Sequence, residues 1–196
     1  MSLLRIAQMG EPVLRERARE VTVGELRSPA VQGLIDDMIE TMRDADGAGI
    51  AAPQVYAPLR VCVMELEGNP RYPTLPGLPL TVLVNPVVTP EVPHPEALAD
   101  EHAVVMYEGC LSVQGIRGRV RRPRKVRVRG MERHGAPVEL VLEGPLAAVV
   151  QHETDHLEGV LFVDRADPRT LTFLREYDRY VPREERVHDG GVSPDG

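Results

Sequence analysis

The sequence predicts an α+β fold in which antiparallel sheets are packed around a central helix carrying H-E-x-x-H. Three observations predict it. Runs rich in β-branched residues are mostly neighbours in sequence, at 59–66, 81–88, 125–130 and 137–143, which suits hairpins better than crossover units. Two long helix patterns stand apart from those runs. The second of them holds two histidines four positions apart, within an apolar pattern that points inward.

Taken in order, the first long helix starts where Ser28 can cap and Pro29 fits the first turn. Val31, Leu34, Ile35, Met38, Ile39 and Met42 make one apolar stripe, and the helix ends in DADG, where glycine breaks it. LRVCVMEL (59–66) and TVLVNPVV (81–88) read as strands, joined by the proline- and glycine-rich EGNPRYPTLPGLP loop. A second irregular connection, TPEVPHPEALADEH (89–102), follows. KVRVRG (125–130) and PVELVLE (137–143) form a hairpin around RHGA. The second long helix begins at Pro145 and is capped by Gly159, with Leu146, Val149, Val150 and Leu157 as apolar anchors. A last helix is expected over PRTLTFLREYDRY (168–180). Residues 1–182 form one domain, and the polar tail 183–196 is expected to be disordered.

Composition narrows the function classes. The 196 residues are 42% hydrophobic and 27% charged, which is globular composition for a single domain. A formal net charge of -7 argues against bulk attraction to nucleic acid or anionic membrane, and no run is long enough to span a bilayer. The first twenty residues lack a signal pattern, so a cytoplasmic location is expected. Two cysteines, Cys62 and Cys110, make no disulfide framework. Cys62 lies within a strand run and reads as a small buried hydrophobe. His94, His102, His134 and His188 sit in polar or loop contexts and take no role.

The candidate chemistry starts at VVQHETDHLEGVLF, residues 149–162. His152 and His156 project from one helical face, so their nitrogens can meet at one cation, while Glu153 reaches toward its water without ligating. Both histidines could equally be satisfied core residues; the metal reading needs a third ligand. Two answers stand open. Glu176, 24 positions after His152, would imitate the thermolysin-like arrangement, although a solvated residue on a charged helix face is the simpler account. Cys110, in EGCLS (108–112), offers a soft thiolate, although a lone buried cysteine is commonly inert. A further stretch, GAGIAAPQ (47–54), combines turn-permitting glycines with the neutral amide of Gln54. It could flank a substrate as an added strand, or be an ordinary tight connection.

Together GAGIAAPQ, EGCLS and QHETDHLEG, in this order and at these separations, closely resemble the signature of peptide deformylases. The resemblance runs from about Ile6 to Phe173, taking in IAQMGEPVLRERARE and VRGMERHGAPVELVLEG, and looks most like the type 1 branch. It implies that Cys110, His152 and His156 hold one divalent metal with water in the fourth position, an open, catalytic arrangement. It implies removal of the formyl group from the N-formylmethionine of nascent peptides, releasing formate. Glu153 would be general base and then acid, and the Gln54 amide with the Leu111 N–H would donate to the oxyanion. The segment around Gly49 would pair with the peptide, Ile50, Ala148 and Val149 would wall the methionine pocket, and Arg117 would hold the peptide's backbone or carboxylate. Glu108 would orient a ligand histidine or pair with Arg122. The family usually works with Fe2+ and tolerates Ni2+ or Co2+, whereas ligand type alone suits Zn2+.

The basic run RGRVRRPRKVRVRG (117–130) stands out in an acidic chain. Docking near the ribosome would use it on phosphates. The simpler reading makes it a strand whose Lys125, Arg127 and Arg129 face solvent while Val126 and Val128 face the core. No direct nucleic-acid binding is therefore expected.

Overall fold

The computed structural model describes residues 2–68, 77–93, 98–182 and 185–186. The elements are α1 (Val23–Leu26), α2 (Pro29–Asp44), β1 (Gly49–Ala51), β2 (Val61–Met64), β3 (Thr81–Pro90), β4 (Ala103–Cys110), β5 (Val113–Pro123), β6 (Lys125–Met131), β7 (Pro137–Glu143), α3 (Pro145–Leu157), β8 (Thr172–Phe173) and α4 (Leu174–Tyr180). One sheet has the order β1-β2-β3-β6-β7 and the other β4-β5-β8, and every neighbouring pair is antiparallel. The α+β expectation holds.

Period-two alternation divides the five-stranded sheet between two helices. Val61 and Val63 of β2, with Val82 and Val84 of β3, join the stripe Val31, Ile35, Met38, Ile39 and Met42 of α2. Cys62, Met64 and Leu83 face the opposite way and meet Ala147, Val150 and Leu157 of α3. Strands buried on both faces read as continuous apolar runs, which is why VCVM shows no polar alternation. Cys62 is fully buried, and burial pushes its thiol far above the usual range. Helix α3 also contacts β4 and β5, so it lies against both sheets. Its ends follow the expected signals, with Pro145 at the first position and Gly159 at φ 73° past the C-cap.

Several boundaries differ from expectation. Helix α2 stops before Gly47, because the left-handed position after Ala45 is taken by Asp46 at φ 50°. Gly47 is needed for space instead, since a Cβ there would sit 3.0 Å from Leu111 Cδ1. The last helix starts only at Leu174. Pro168–Thr170 is a 3-10 turn capped by Asp167, and Thr172–Phe173 pairs with Ile116 and Arg117 of β5. Strand β5 was hidden by its four arginines, and α1 by its shortness, although Thr22 and Glu25 close a capping box around it. Most of the loop between β2 and β3, residues 94–97 of the second connection, and nearly all of the expected tail lie outside the described residues.

The basic run follows the simpler reading. Val126 and Val128 are fully buried, while Arg127 pairs with Glu91 and Glu139, Arg129 with Glu139, and Arg121 with Asp100. No helix among the described residues is long and apolar enough to cross a membrane.

The two-sided core gives a direct expectation. Ile35→Ala, at a side chain with no exposure, should lower the unfolding free energy by about 2–5 kcal/mol. Leu34→Ala, half-buried on the same helix, should cost clearly less, and urea denaturation of both variants checks the ranking.

Candidate metal centre

Three chain segments meet at the site. The loop from α2 into β1 brings Gly47 to Gln54, the β4–β5 turn brings Cys110 to Ser112, and α3 brings His152, Glu153 and His156. Ligand atoms of Cys110, His152 and His156 lie within 4.8 Å of one another. Cys110 Sγ is 3.3 Å from His156 Nε2. Tetrahedral bond lengths of 2.0–2.3 Å place neighbouring donors about 3.3–3.7 Å apart, so this spacing fits a shared dication. The donor chemistry fits as well, because one thiolate and two imidazoles leave a corner open. Glu176 sits on α4 and takes no part in this group among the described residues, so the thermolysin-like alternative is overturned in favour of Cys110.

A buried network sets the ring of His152. Its Nδ1 is 2.9 Å from Glu108 Oε2, which leaves Nε2 for the cluster. Arg122 donates through Nε to Glu108 Oε1 at 2.6 Å and through Nη2 to Oε2 at 2.9 Å. Its Nη1 donates to Asp155 Oδ2 at 2.8 Å, and Arg165 grips the same carboxylate from outside. Burial pushes the Glu108 carboxyl up, but the hydrogen bonds from Arg122 and His152 outweigh it and hold the group at about 2. Burial drives His152 toward its neutral form, yet the flanking Cys110 and Glu108 favour positive charge there and raise it well above its usual value. His156 goes the other way, lowered by burial and by the charge on His152.

Glu153 is fully buried beside this trio, and burial raises its carboxyl to about 7. Its Oε2 has no hydrogen-bond partner among the described residues, and the same holds for His156 Nδ1. The Glu153 oxygen is a group that water on a bound ion would serve. Gly49 explains how the carboxyl fits, because a Cβ there would stand 2.6 Å from Glu153 Cδ. Gln54 Oε1 accepts from the Ala51 N–H at 2.8 Å. Its Nε2 donates to Ser112 Oγ at 3.1 Å and to Cys110 Sγ at 3.4 Å, so the amide faces the cluster.

A cavity of about 260 Å³ opens beside these groups, lined by β1 and β4, each an edge of its sheet among the described residues. Ala148 and Val149 line it, as expected, and so do Leu111 and Arg117. Arg117 is almost wholly buried, its Nη1 donating to the Ile116 carbonyl at 3.2 Å and its guanidinium laid over Gly109. Ile50 departs from expectation. It alternates with Gly49 and Ala51, so its side chain turns into the α2 core rather than the cavity wall. Met106, Tyr107, Leu174 and Tyr177, none of them anticipated, also line it.

The Asp155–Arg165 pair was also missed. Its signal was the second acid inside HETDH, three positions after His152, facing arginines rather than solvent. Arg122→Ala would leave two buried carboxylates short of their cation, at a cost of about 3–5 kcal/mol by thermal or urea unfolding. The depressed Glu108 carboxyl also contributes stability that is complete above its unfolded value of 4.5. That share should be lost as pH falls from there toward 2, and Glu108→Gln should flatten this limb in acid unfolding of metal-stripped protein.

Comparison with known proteins agrees with the geometry. The family described as polypeptide deformylase matches residues 3–171. A peptide deformylase of Leptospira biflexa is 40% identical over 166 residues, covering 84% of this chain and 88% of that one. Peptide deformylase 1 of Prochlorococcus marinus is 43% identical over 180 residues, covering 91% and 88%. A class I type b peptide deformylase of Acinetobacter baumannii, solved with Met-Ala-Ser bound, superposes with a TM-score of 0.75 at 41% identity, covering 84% of this chain and 98% of that one. With the motifs, the cluster and these likenesses in agreement, the chain belongs to the polypeptide deformylase family.

Proposed function

We propose that this protein hydrolyses the formyl group from N-formylmethionyl ends of newly made polypeptides, releasing formate and a free amine. The carrying observation is the Cys110, His152 and His156 trio with the buried, unpartnered oxygen of Glu153 beside it in a cavity lined by two edge strands. Cys110, His152 and His156 would hold the divalent metal, Fe2+ on the family resemblance, with Zn2+, Ni2+ or Co2+ as substitutes. Bound there, the cation would polarise the formyl oxygen and acidify water.

The remaining work falls to the chain. Glu153 takes the proton of the attacking water and passes it to the departing amine, a role suited by a carboxyl near 7. The Gln54 amide and the Leu111 N–H donate to the developing oxyanion. Gly49 turns its backbone groups to the outer edge of β1, where an extended peptide can add as a strand. Ala148, Val149 and Met106 supply an apolar wall for the methionine side chain, and Arg117 stands beside the peptide's path. The cytoplasm, close to the ribosome, is the setting such a substrate demands.

Anaerobically purified protein, supplied with Fe2+ or Ni2+, should release formate from formyl-Met-Ala-Ser; its absence would overturn the reading. Cys110→Ala should lose metal by elemental analysis, whereas Glu153→Ala should keep metal and lose turnover. Gln54→Ala should reduce kcat by roughly 100- to 1000-fold. Whole-protein metal content after anaerobic isolation tests the choice of iron.

A further inference from the structure

Residues 7–9 bridge the two loops that carry Gln54 and Cys110. The Ala7 N–H donates to the Gln54 carbonyl at 2.8 Å, and the Met9 N–H donates to the Ser112 carbonyl at 2.7 Å. Ala7 is fully buried, in one apolar cluster with Leu14, Val113 and Phe162. A turn closed by the Glu11 N–H on the Gln8 carbonyl, at 3.0 Å, holds the backbone of Gln8 between those anchors.

Gln8 is exposed, yet its amide is committed. Its Nε2 donates to the Leu111 carbonyl at 3.1 Å, with the Ile6 carbonyl at 3.4 Å. The other end of that Leu111–Ser112 peptide unit is the Ser112 N–H, which donates to Cys110 Sγ at 3.4 Å. A planar trans peptide points its C=O and N–H in opposite directions, so a donor held on the carbonyl aims the N–H at the sulfur. Hydrogen bonds in series also polarise one another. Gln54 Nε2 donates to the same sulfur at 3.4 Å. Both donors to Cys110 therefore sit on loops that residues 7–9 tie down.

We propose that Gln8 is a positioning residue for the thiolate ligand: through the Leu111–Ser112 peptide it aims a hydrogen bond at Cys110 Sγ and sets that sulfur's direction and donor strength. The proposal rests on the reading of Cys110 as a metal ligand and deepens it. Gln8 is not among the residues lining the cavity, so its effect runs through the sulfur rather than through substrate.

The test uses full-length protein loaded with Co2+, whose thiolate-to-metal charge-transfer absorption reads the sulfur directly. In Gln8→Ala the band should move to longer wavelength, because a thiolate relieved of a hydrogen bond releases electron density more readily. Co2+ affinity, measured by competition with a chelator, should fall about ten-fold, the lower end of what partners behind a metal ligand are worth. Gln8→Glu, which offers an acceptor where a donor is needed, should do the same. Gln8→Lys restores a donor on a long flexible stem and should bring band and affinity back toward the parent. Unfolding of the metal-free variants should keep the parent's midpoint, since the side chain is exposed. An unmoved band with unchanged affinity in Gln8→Ala would overturn the proposal, and so would a change that Gln8→Lys fails to restore. A parent protein with no thiolate band would strike Cys110 as ligand and the proposal with it. A parent that shows the band but releases no formate would strike only the deformylase reading, and the Gln8 variants would still judge the proposal.

Discussion

Arg122 holds this molecule's chemistry in register. Its guanidinium, almost without exposure, sits between Glu108 and Asp155 and so ties β4 and β5 to α3. Burying three charges is expensive, and a well-packed apolar cluster of equal volume would often be as stable or more so. What an apolar cluster could not do is fix an imidazole. Glu108 spends its second oxygen on His152 Nδ1, which settles the tautomer and leaves Nε2 aimed at Cys110 and His156. The network is accordingly better understood as a positioning device than as a source of net stability.

That view explains the division between what could and could not be read along the chain. Helices α2 and α3 and the β6–β7 hairpin were legible because their apolar positions repeat with the period of their own secondary structure. Strand β5 was not, since Arg117 and Arg122 point inward while Arg119 and Arg121 point out, and alternation of one residue type carries no face. Cys110, His152 and His156 could be picked out by type and spacing. Arg165 could not, because its value lies in reaching Asp155, a contact made ten positions away through a turn.

Gly49 and Ile50 show the same limit at finer scale. Glycine was expected to permit turning or close approach, and the second is the cause: the Glu153 carboxyl lies where a Cβ would be. Ile50 was expected on the wall of the methionine pocket, but a one-residue step along a strand reverses the face. The residue serves the core of α2, and its backbone pairs with Val63 of β2.

Two edge strands lining one cavity are normally a hazard, since unpaired N–H and C=O groups invite association. Here the β1 edge is short, at three residues, and it lines one side of the cavity while β4 lines another. Main-chain pairing is indifferent to sequence, which is what the proposed substrates require, since new polypeptides share little beyond their first residue. Discrimination must then come from side-chain walls on either face of the added strand. Ala148 and Val149 of α3 and Leu174 and Tyr177 of α4 are the side chains lining the cavity from those two helices.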